Sequence, residues 1–459
     1  MTVAIAALTS VRQPYPSYKA TDVPWSDVVP DHWDVQSVKY GFDVRLGKML
    51  QNEPITPSDT LVPYLRSVNV GWDGIDTSNV KEMWFSPSDK MLYRLAPGDL
   101  VVCEGGDVGR CSIWRDQIAD CYIQNAVHRV RSRSGYSNGF LYYWLSLLKG
   151  AGYIDLVCNK ATIAHLTVEK LRALPLFCPP QVEQHAITAF LDRETAKSDA
   201  LIAKKERLID VLREKRAAAI AQAVFRGLHP NQSMEYSGID WLGNIPNHWS
   251  VKRIKHVISG GLVNGLFKTK DQFGSGTNLI NVSDIYRDTF RVDNDGLDRV
   301  EATDQEIGTY RVQQGDIFFV RSSLKLEGVA ASACVGDVPE AMVFECHLIR
   351  VRPSPKYIAP GFLIYYLNST PVRQRLVSLA ETTTMTTISQ PKLAALEVCV
   401  PPLVEQNAIV DRLHRETSTI DALIDKVREH IDTLHEHRAA LISAAVTGKI
   451  DVREDSPQW

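Results

Sequence analysis

The side chains best able to do chemistry sit in a few short motifs. Two proline pairs, Cys178-Pro179-Pro180-Gln181 and Val400-Pro401-Pro402-Leu403, stand where an amino-methyltransferase would carry Asp/Asn-Pro-Pro-aromatic. Both lack the polar residue that would hold the target amine and the aromatic that would stack on a flipped base. Gly448-Lys449 is followed by Ile450 and has no upstream glycine placed for a phosphate loop. No G-x-G-x-x-G opens a helix after a strand. His32 and His248 each precede a tryptophan in Pro-x-His-Trp, which reads as a structural turn. The eight cysteines (103, 111, 121, 158, 178, 334, 346 and 399) form no C-x-x-C pair and no zinc-like Cys/His spacing. They read as buried thiols in a reducing, cytoplasmic compartment. Carboxylates are plentiful, but no two are placed with a base or a metal partner. The expectation is a chain without a catalytic centre, a metal or a cofactor of its own.

The elements that carry these motifs form a long chain. Its 459 residues exceed one ordinary domain, and 44% hydrophobic with 23% charged residues suits large buried cores. No apolar run approaches the roughly 18 residues of a membrane span. The N-terminal MTVAIAALTSVRQPYP has no basic n-region and reads as an untargeted tail. A net charge of −3 does not announce a polyanion partner, and the acidic surplus lies at the C-terminal end.

The chain repeats itself at a period of about 220 residues. Val29-Pro30-Asp31-His32-Trp33 returns as Ile245-Pro246-Asn247-His248-Trp249. Pro97-Gly98-Asp99-Leu100 returns as Gln314-Gly315-Asp316-Ile317, and Phe140-Leu141-Tyr142-Tyr143 as Phe362-Leu363-Ile364-Tyr365. Pro179-Pro180 with Glu183-Gln184 returns as Pro401-Pro402 with Glu405-Gln406. Arg193-Glu194-Thr195 returns as Arg415-Glu416-Thr417. The stretches around 40–165 and 255–390 share only a skeleton, whereas 175–225 and 397–447 match closely. The boundaries that follow are a tail 1–22, a module 23–174, a helix 175–228, a linker 229–238, a second module 239–396, a second helix 397–452 and a tail 453–459. Residues 1–22 have no repeat partner.

The helices show the clearest period. Leu413, Ile420, Val427, Leu434 and Leu441 fall at steps of seven, with Ile424 and Ile431 between them, as in a coiled-coil seam. The first copy keeps the pattern more loosely through Leu191, Ile202, Ile209 and Leu212. Each Pro-Pro pair sets a helix start, and Gly227 and Gly448 fit the stops. About 45 residues make a rod of roughly 65–70 Å. Two such helices fit an antiparallel pair that acts as a spacer; the alternative is two amphipathic helices, each packed on its own module. The modules read as α+β, with strands at Leu61–Val70, Asp99–Cys103 and Ala126–Val130 in one. The other has Asn278–Ile285, Asp316–Val320 and Leu348–Val351.

Two divergent modules, each followed by a matched helix opening Pro-Pro-x-x-Glu-Gln, resemble the specificity (S) subunit of type I restriction–modification systems. The Gly-x-x-x-x-Pro-x-His-Trp motif, with its Pro-x-His-Trp end at Pro246–Trp249, is a second hallmark. The ending Ala445-Val446-Thr447-Gly448-Lys449-Ile450-Asp451 is a third. The resemblance covers about residues 23–452. It implies an α+β fold with two target recognition domains, each followed by a long helix, and the helices in an antiparallel, pseudo-twofold coiled coil. It further implies that each module reads half of a split, asymmetric double-stranded DNA site. Two methyltransferase (M) subunits would dock on the helices and bring S-adenosylmethionine; restriction (R) subunits would add ATP- and Mg-dependent translocation and cleavage.

On that reading, DNA contacts need Arg/Lys for guanine, Asn/Gln for adenine and further donors for phosphate. The candidates near strand ends and Gly-rich turns are Arg66, Arg110, Gln124, Asn125 and Lys160 in the first module. In the second they are Lys268, Lys270, Asn281, Arg321, Ser322, Ser323 and Lys325, with hydroxyls of Thr382–Thr387 for phosphate. Two rivals differ in kind. One is a coiled-coil scaffold whose neutral modules bind something other than DNA; the other is a fused enzyme, which the missing motifs oppose.

Overall fold

The computed structural model describes residues 13–23, 26–133, 135–158, 164–382 and 384–455. The chain divides into two compact units, residues 1–205 with 428–459, and residues 206–427. Each unit therefore holds one module, the near half of one long helix and the far half of the other. The helices run Gln181–Arg226 and Leu403–Val446. Both start directly after their Pro-Pro pair. Both stop at a glycine in the left-handed region, Gly227 (φ 66°) and Gly448 (φ 69°), where a side chain would be strained.

In the first unit, a four-stranded antiparallel sheet runs in the order Phe42–Leu46, Val127–Ser132, Leu100–Cys103, Cys111–Ile113. A second sheet places Thr60–Leu65 between antiparallel Lys81–Phe85 and parallel Tyr122–Ile123. Leu100–Cys103 is buried throughout because it separates two cores. Leu100 and Val102 face the core under helix Asn138–Gly150, while Val101 and Cys103 face a smaller core around Trp114. That is the two-residue alternation of a strand covered on both faces.

The second unit repeats the plan. Its five-stranded sheet runs Val263–Asn264, Leu348–Val351, Ile317–Val320, Ser332–Val335, Arg291–Val292. Ile317 and Phe319 enter one core and Phe318 and Val320 another. Phe273–Ile280 lies between Asp298–Val300 and Met342–Phe344. Ser322–Ser323, Thr386–Thr387 and Glu381–Thr382 form a small third sheet.

Two expected strands end early. Leu61–Val70 and Asn278–Ile285 each turn into a 3-10 segment, Ser67–Asn69 and Val282–Ile285. The cause is local: Asn69 Oδ1 accepts from Arg66 N at 3.0 Å, and Asp284 Oδ2 from Asn281 N at 2.8 Å, so a side chain caps the turn in place of a ladder bond. Tyr18–Ala20, read from sequence as tail, forms a hairpin with Val28–Pro30. Met234–Tyr236 with Asn244–Pro246 is its counterpart. The match lies in backbone pairing, not residue identity, so it leaves little trace in the letters.

The helix halves pack antiparallel within each unit. Asp199 meets Arg438 at 3.0 Å and Lys205 meets His430 at 3.4 Å in the first, and Arg216 meets Asp421 at 2.9 Å in the second. Of the seam residues, Ile202, Ile209, Ile420, Ile424 and Val427 are buried, while Leu212, Ile431 and Leu434 are half-buried. Leu191, Leu413 and Leu441 are also buried, but in the module cores, because the helix ends sink into the modules.

Candidate nucleic-acid interface

The repeated motifs turn out to be the joints that hold each module to its helix. Glu183, on the first turn of its helix, accepts from Trp33 Nε1 at 3.1 Å, lies 2.9 Å from His32 Nε2, and accepts from the Tyr15 hydroxyl. Glu405 does the same with Trp249 Nε1 (3.1 Å) and His248 Nε2 (2.8 Å). Gln184 donates to Pro179 O and accepts from Ser137 N, the cap of the module helix. Gln406 donates to Pro401 O and accepts from Ala359 N at the equivalent cap. Both histidines are thus structural, and the buried Glu183 carboxylate finds its partners there.

The Gly-Asp turns are likewise structural. Asp316 is 0% exposed and takes a two-pronged bond from Arg352, Nε at 2.7 Å and Nη2 at 2.8 Å, plus Gln313 N at 2.8 Å. Asp99 is held the same way by Arg131 and Ala96 N. The arginines escaped the motif search, although Val130-Arg131 does return as Val351-Arg352. The cysteines are free, and six are buried. Burial pushes the Cys103 and Cys178 thiols up to about 11, and those of Cys121, Cys334 and Cys399 to about 12. Such thiols are poor nucleophiles. Among the described residues no His/Cys/Asp/Glu group could hold a metal, and no helix is long and apolar enough to cross a membrane.

With the joints accounted for, the candidate contacts can be placed on each module in turn. In the first, Gln124 N donates to Leu65 O, Asn125 N to Lys48 O, and Arg110 Nη2 to Ser67 O. Arg66, Gln124 and Asn125 therefore share the ends of two neighbouring strands, and Arg110 reaches the turn that follows the first of them. Arg66 Nη2 also donates to Asn79 O at 2.9 Å, and Arg110 lies 3.6 Å from Asp107, so both guanidiniums are partly committed. Gln124 and Asn125 bond to each other through their side chains. Lys160 lies outside the described residues.

In the second module Arg321 and Lys325 are exposed, and the small sheet seats Ser322–Ser323 against Thr386–Thr387. Arg321 N donates to His347 O at 2.7 Å and its carbonyl accepts from Ile388 N at 2.9 Å, so the side chain projects from a fixed backbone. Ser323 and Thr386 are buried, and Thr382 Oγ1 lies 3.1 Å from Thr386 Oγ1. The hydroxyls open to a ligand are accordingly fewer than the composition suggests. Asn281 donates to Asp298 at 2.8 Å. Lys268, with a side chain 9% exposed, is held by Glu306 at 2.9 Å, whereas Lys270 is exposed.

The frame is shared but its chemistry is not. Glu104-Gly105-Gly106 stands where the second module has Arg321-Ser322-Ser323: Leu166 N bonds Glu104 O as Ile388 N bonds Arg321 O. Gln124-Asn125 stands where the second module has Glu345-Cys346, since Lys48 bridges Gln124 as Leu266 bridges Glu345. Sequence reasoning also passed over Met49 and Phe267, exposed at matched places beside these bridges.

Comparison with known proteins agrees with this plan. The chain is similar to the EcoKI specificity subunit of Escherichia coli K12, at 22% identity over 87% of this chain and 84% of that one. Its fold is similar to a chain of a solved type I R-M system studied for complex assembly and conformational transition, with TM-score 0.69 and 15% identity, over 92% of this chain and 99% of that one. It is also similar to the HsdS subunit of Thermoanaerobacter tengcongensis, with TM-score 0.50 and 16% identity, over 94% and 100%. The family model described as the type I restriction modification DNA specificity domain matches residues 80–210 and 246–432, and the chain belongs to that family.

Proposed function

We propose that this chain, a non-catalytic specificity subunit that recognises DNA sequence, reads a bipartite, asymmetric double-stranded site. Module 23–174 takes one half and module 239–396 the other, with helices 175–228 and 397–452 as the spacer between them. The observation that carries the reading is the contrast at matched positions. One backbone frame presents Gln124-Asn125 in one module and Glu345-Cys346 in the other, and Glu104-Gly105-Gly106 against Arg321-Ser322-Ser323. A frame kept constant beneath different donors and acceptors suits two readers of different base edges.

Two methyltransferase subunits dock on the helices and supply S-adenosylmethionine for adenine methylation. Restriction subunits add ATP- and Mg-dependent movement and cleavage, all in the cytoplasm. The test is genome-wide mapping of methylated adenine in cells with and without the chain, partners intact. A split adenine motif that vanishes with the chain supports the reading; an unchanged methylation pattern, or loss of an unsplit motif, refutes it.

A further inference from the structure

Arg216 and Arg438 occupy the same place in the repeat, each opening an Arg-Ala-Ala run in the far half of its helix. Within the second unit, Arg216 of the first helix lies 2.9 Å from Asp421 of the second helix. Its Nη2 also donates to Asp288 O at 2.8 Å, and its guanidinium lies over the Phe290 ring at 4.8 Å. Phe290 has φ 57°, a conformation that an aromatic residue adopts only when its surroundings impose it. Its ring also meets Tyr365 at 6.4 Å. One arginine thus joins an ion pair, a carbonyl bond and a ring contact, its planar fork turned to the aspartate and carbonyl and its flat face to the ring.

Within the first unit the helices exchange roles. Arg438 of the second helix lies 3.0 Å from Asp199 of the first. It faces the Tyr142 hydroxyl, which donates to Trp72 O at 2.8 Å while the two rings meet at 6.2 Å. Trp72, Tyr142, Asp199 and Arg438 line one cleft of about 1,020 Å³ between module and helices.

We infer that Arg216 and Arg438 are positioning residues: each rides on the helix that follows one module, pairs with an aspartate of the opposite helix and fixes the angle at which the other module sits on the helices. The Glu183 and Glu405 joints, with the helix ends buried in each core, hold a module near the start of its own helix. The arginine adds a polar contact farther along the helix pair, supplied by the other helix, and so resists tilting of the module about that start. The inference rests on the split-site reading, because a module held at one angle is what makes a half-site spacing strict.

The experiment maps adenine methylation in cells carrying the intact complex with Arg216→Gln, Arg438→Gln, or Arg213→Gln as the control. Arg213 pairs only with Asp210 on its own helix among its described contacts. Both glutamine variants are expected to keep the base preferences of both half-sites. They should raise methylation at sites spaced one base pair too long or too short by about tenfold, a loss of roughly 1.4 kcal/mol of discrimination. Arg213→Gln should leave the spacing distribution alone. General destabilisation would lower methylation at every site without broadening the spacing. A wild-type spacing distribution in both glutamine variants overturns the inference. If they fail to assemble, Arg216→Lys keeps the charge beside Asp421 without the fork or the stack. It should still broaden the spacing, and an unchanged distribution there overturns the inference equally. Absence of any motif dependent on the wild-type chain would instead bring down the functional reading, and the inference with it.

Discussion

Asp316→Ala removes a carboxylate that is 0% exposed and holds three bonds, two from Arg352 and one from Gln313 N. Breaking a buried pair by deleting one partner costs about 3–5 kcal/mol when the survivor stays buried. Here the survivor can escape: the Arg352 side chain is 28% exposed and its Nη2 also donates to Arg311 O at 3.1 Å. The lower end applies, about 3 kcal/mol. In the first module the partner Arg131 is 42% exposed, so Asp99→Ala should cost less, about 2 kcal/mol. Arg352→Ala is the reverse case. It strands a buried carboxylate with one backbone donor, and should cost the upper end, about 4–5 kcal/mol. The assay is amide hydrogen exchange across a urea series, so that peptides within 206–427 and within the first unit report separately. The reasoning predicts the order Arg352→Ala, then Asp316→Ala, then Asp99→Ala. The reverse order, or all three variants within about 1 kcal/mol of wild type, would refute it.

Val427→Asp buries a charge in the helix seam and should abolish co-sedimentation with methyltransferase subunits, whereas Lys426→Asp, on the exposed side, should not; equal behaviour would undo the seam assignment. Arg321→Ala should weaken binding of the assembled complex to all duplexes and lower the salt slope by about one unit, as expected for a phosphate contact. A loss of about 1–3 kcal/mol confined to one base pair would reassign Arg321 to base reading, and no change would remove it from the interface. Replacing residues 255–390 with the matching stretch of a relative should change one half-site and leave the other; changes in both halves would contradict independent modules.

Much of this architecture was legible in the residues. Pro179-Pro180 and Pro401-Pro402, the seven-residue spacing from Leu413 to Leu441, and the stops at Gly227 and Gly448 are local signals, because proline, heptads and left-handed glycine act within a few bonds of themselves. The duplication followed from order alone. The same locality made the strands Leu61–Val70 and Asn278–Ile285 run too long, since the caps at Asn69 and Asp284 compete with the ladder only once the turn has formed. The motif residues Glu183, Trp33 and Asp316 could be singled out from the repeat, but not that Trp33 donates to Glu183 or Arg352 to Asp316.

The candidate interface was legible only in part. The sequence by itself determined which side chains could donate to DNA and that Arg66, Gln124, Asn281 and Arg321 stand near strand ends. Only the tertiary structure decided that Lys268 is spent on Glu306, that Thr386 points inward, and that Arg321 remains exposed on a braced strand end. It alone decided that Arg216 finds Asp421, 205 residues away along the chain. The physical reason is range. Backbone preference and hydrophobic period are set by near neighbours, whereas a charge is committed or free according to what the folded chain brings within about 4 Å of it, and no local spacing encodes that distance.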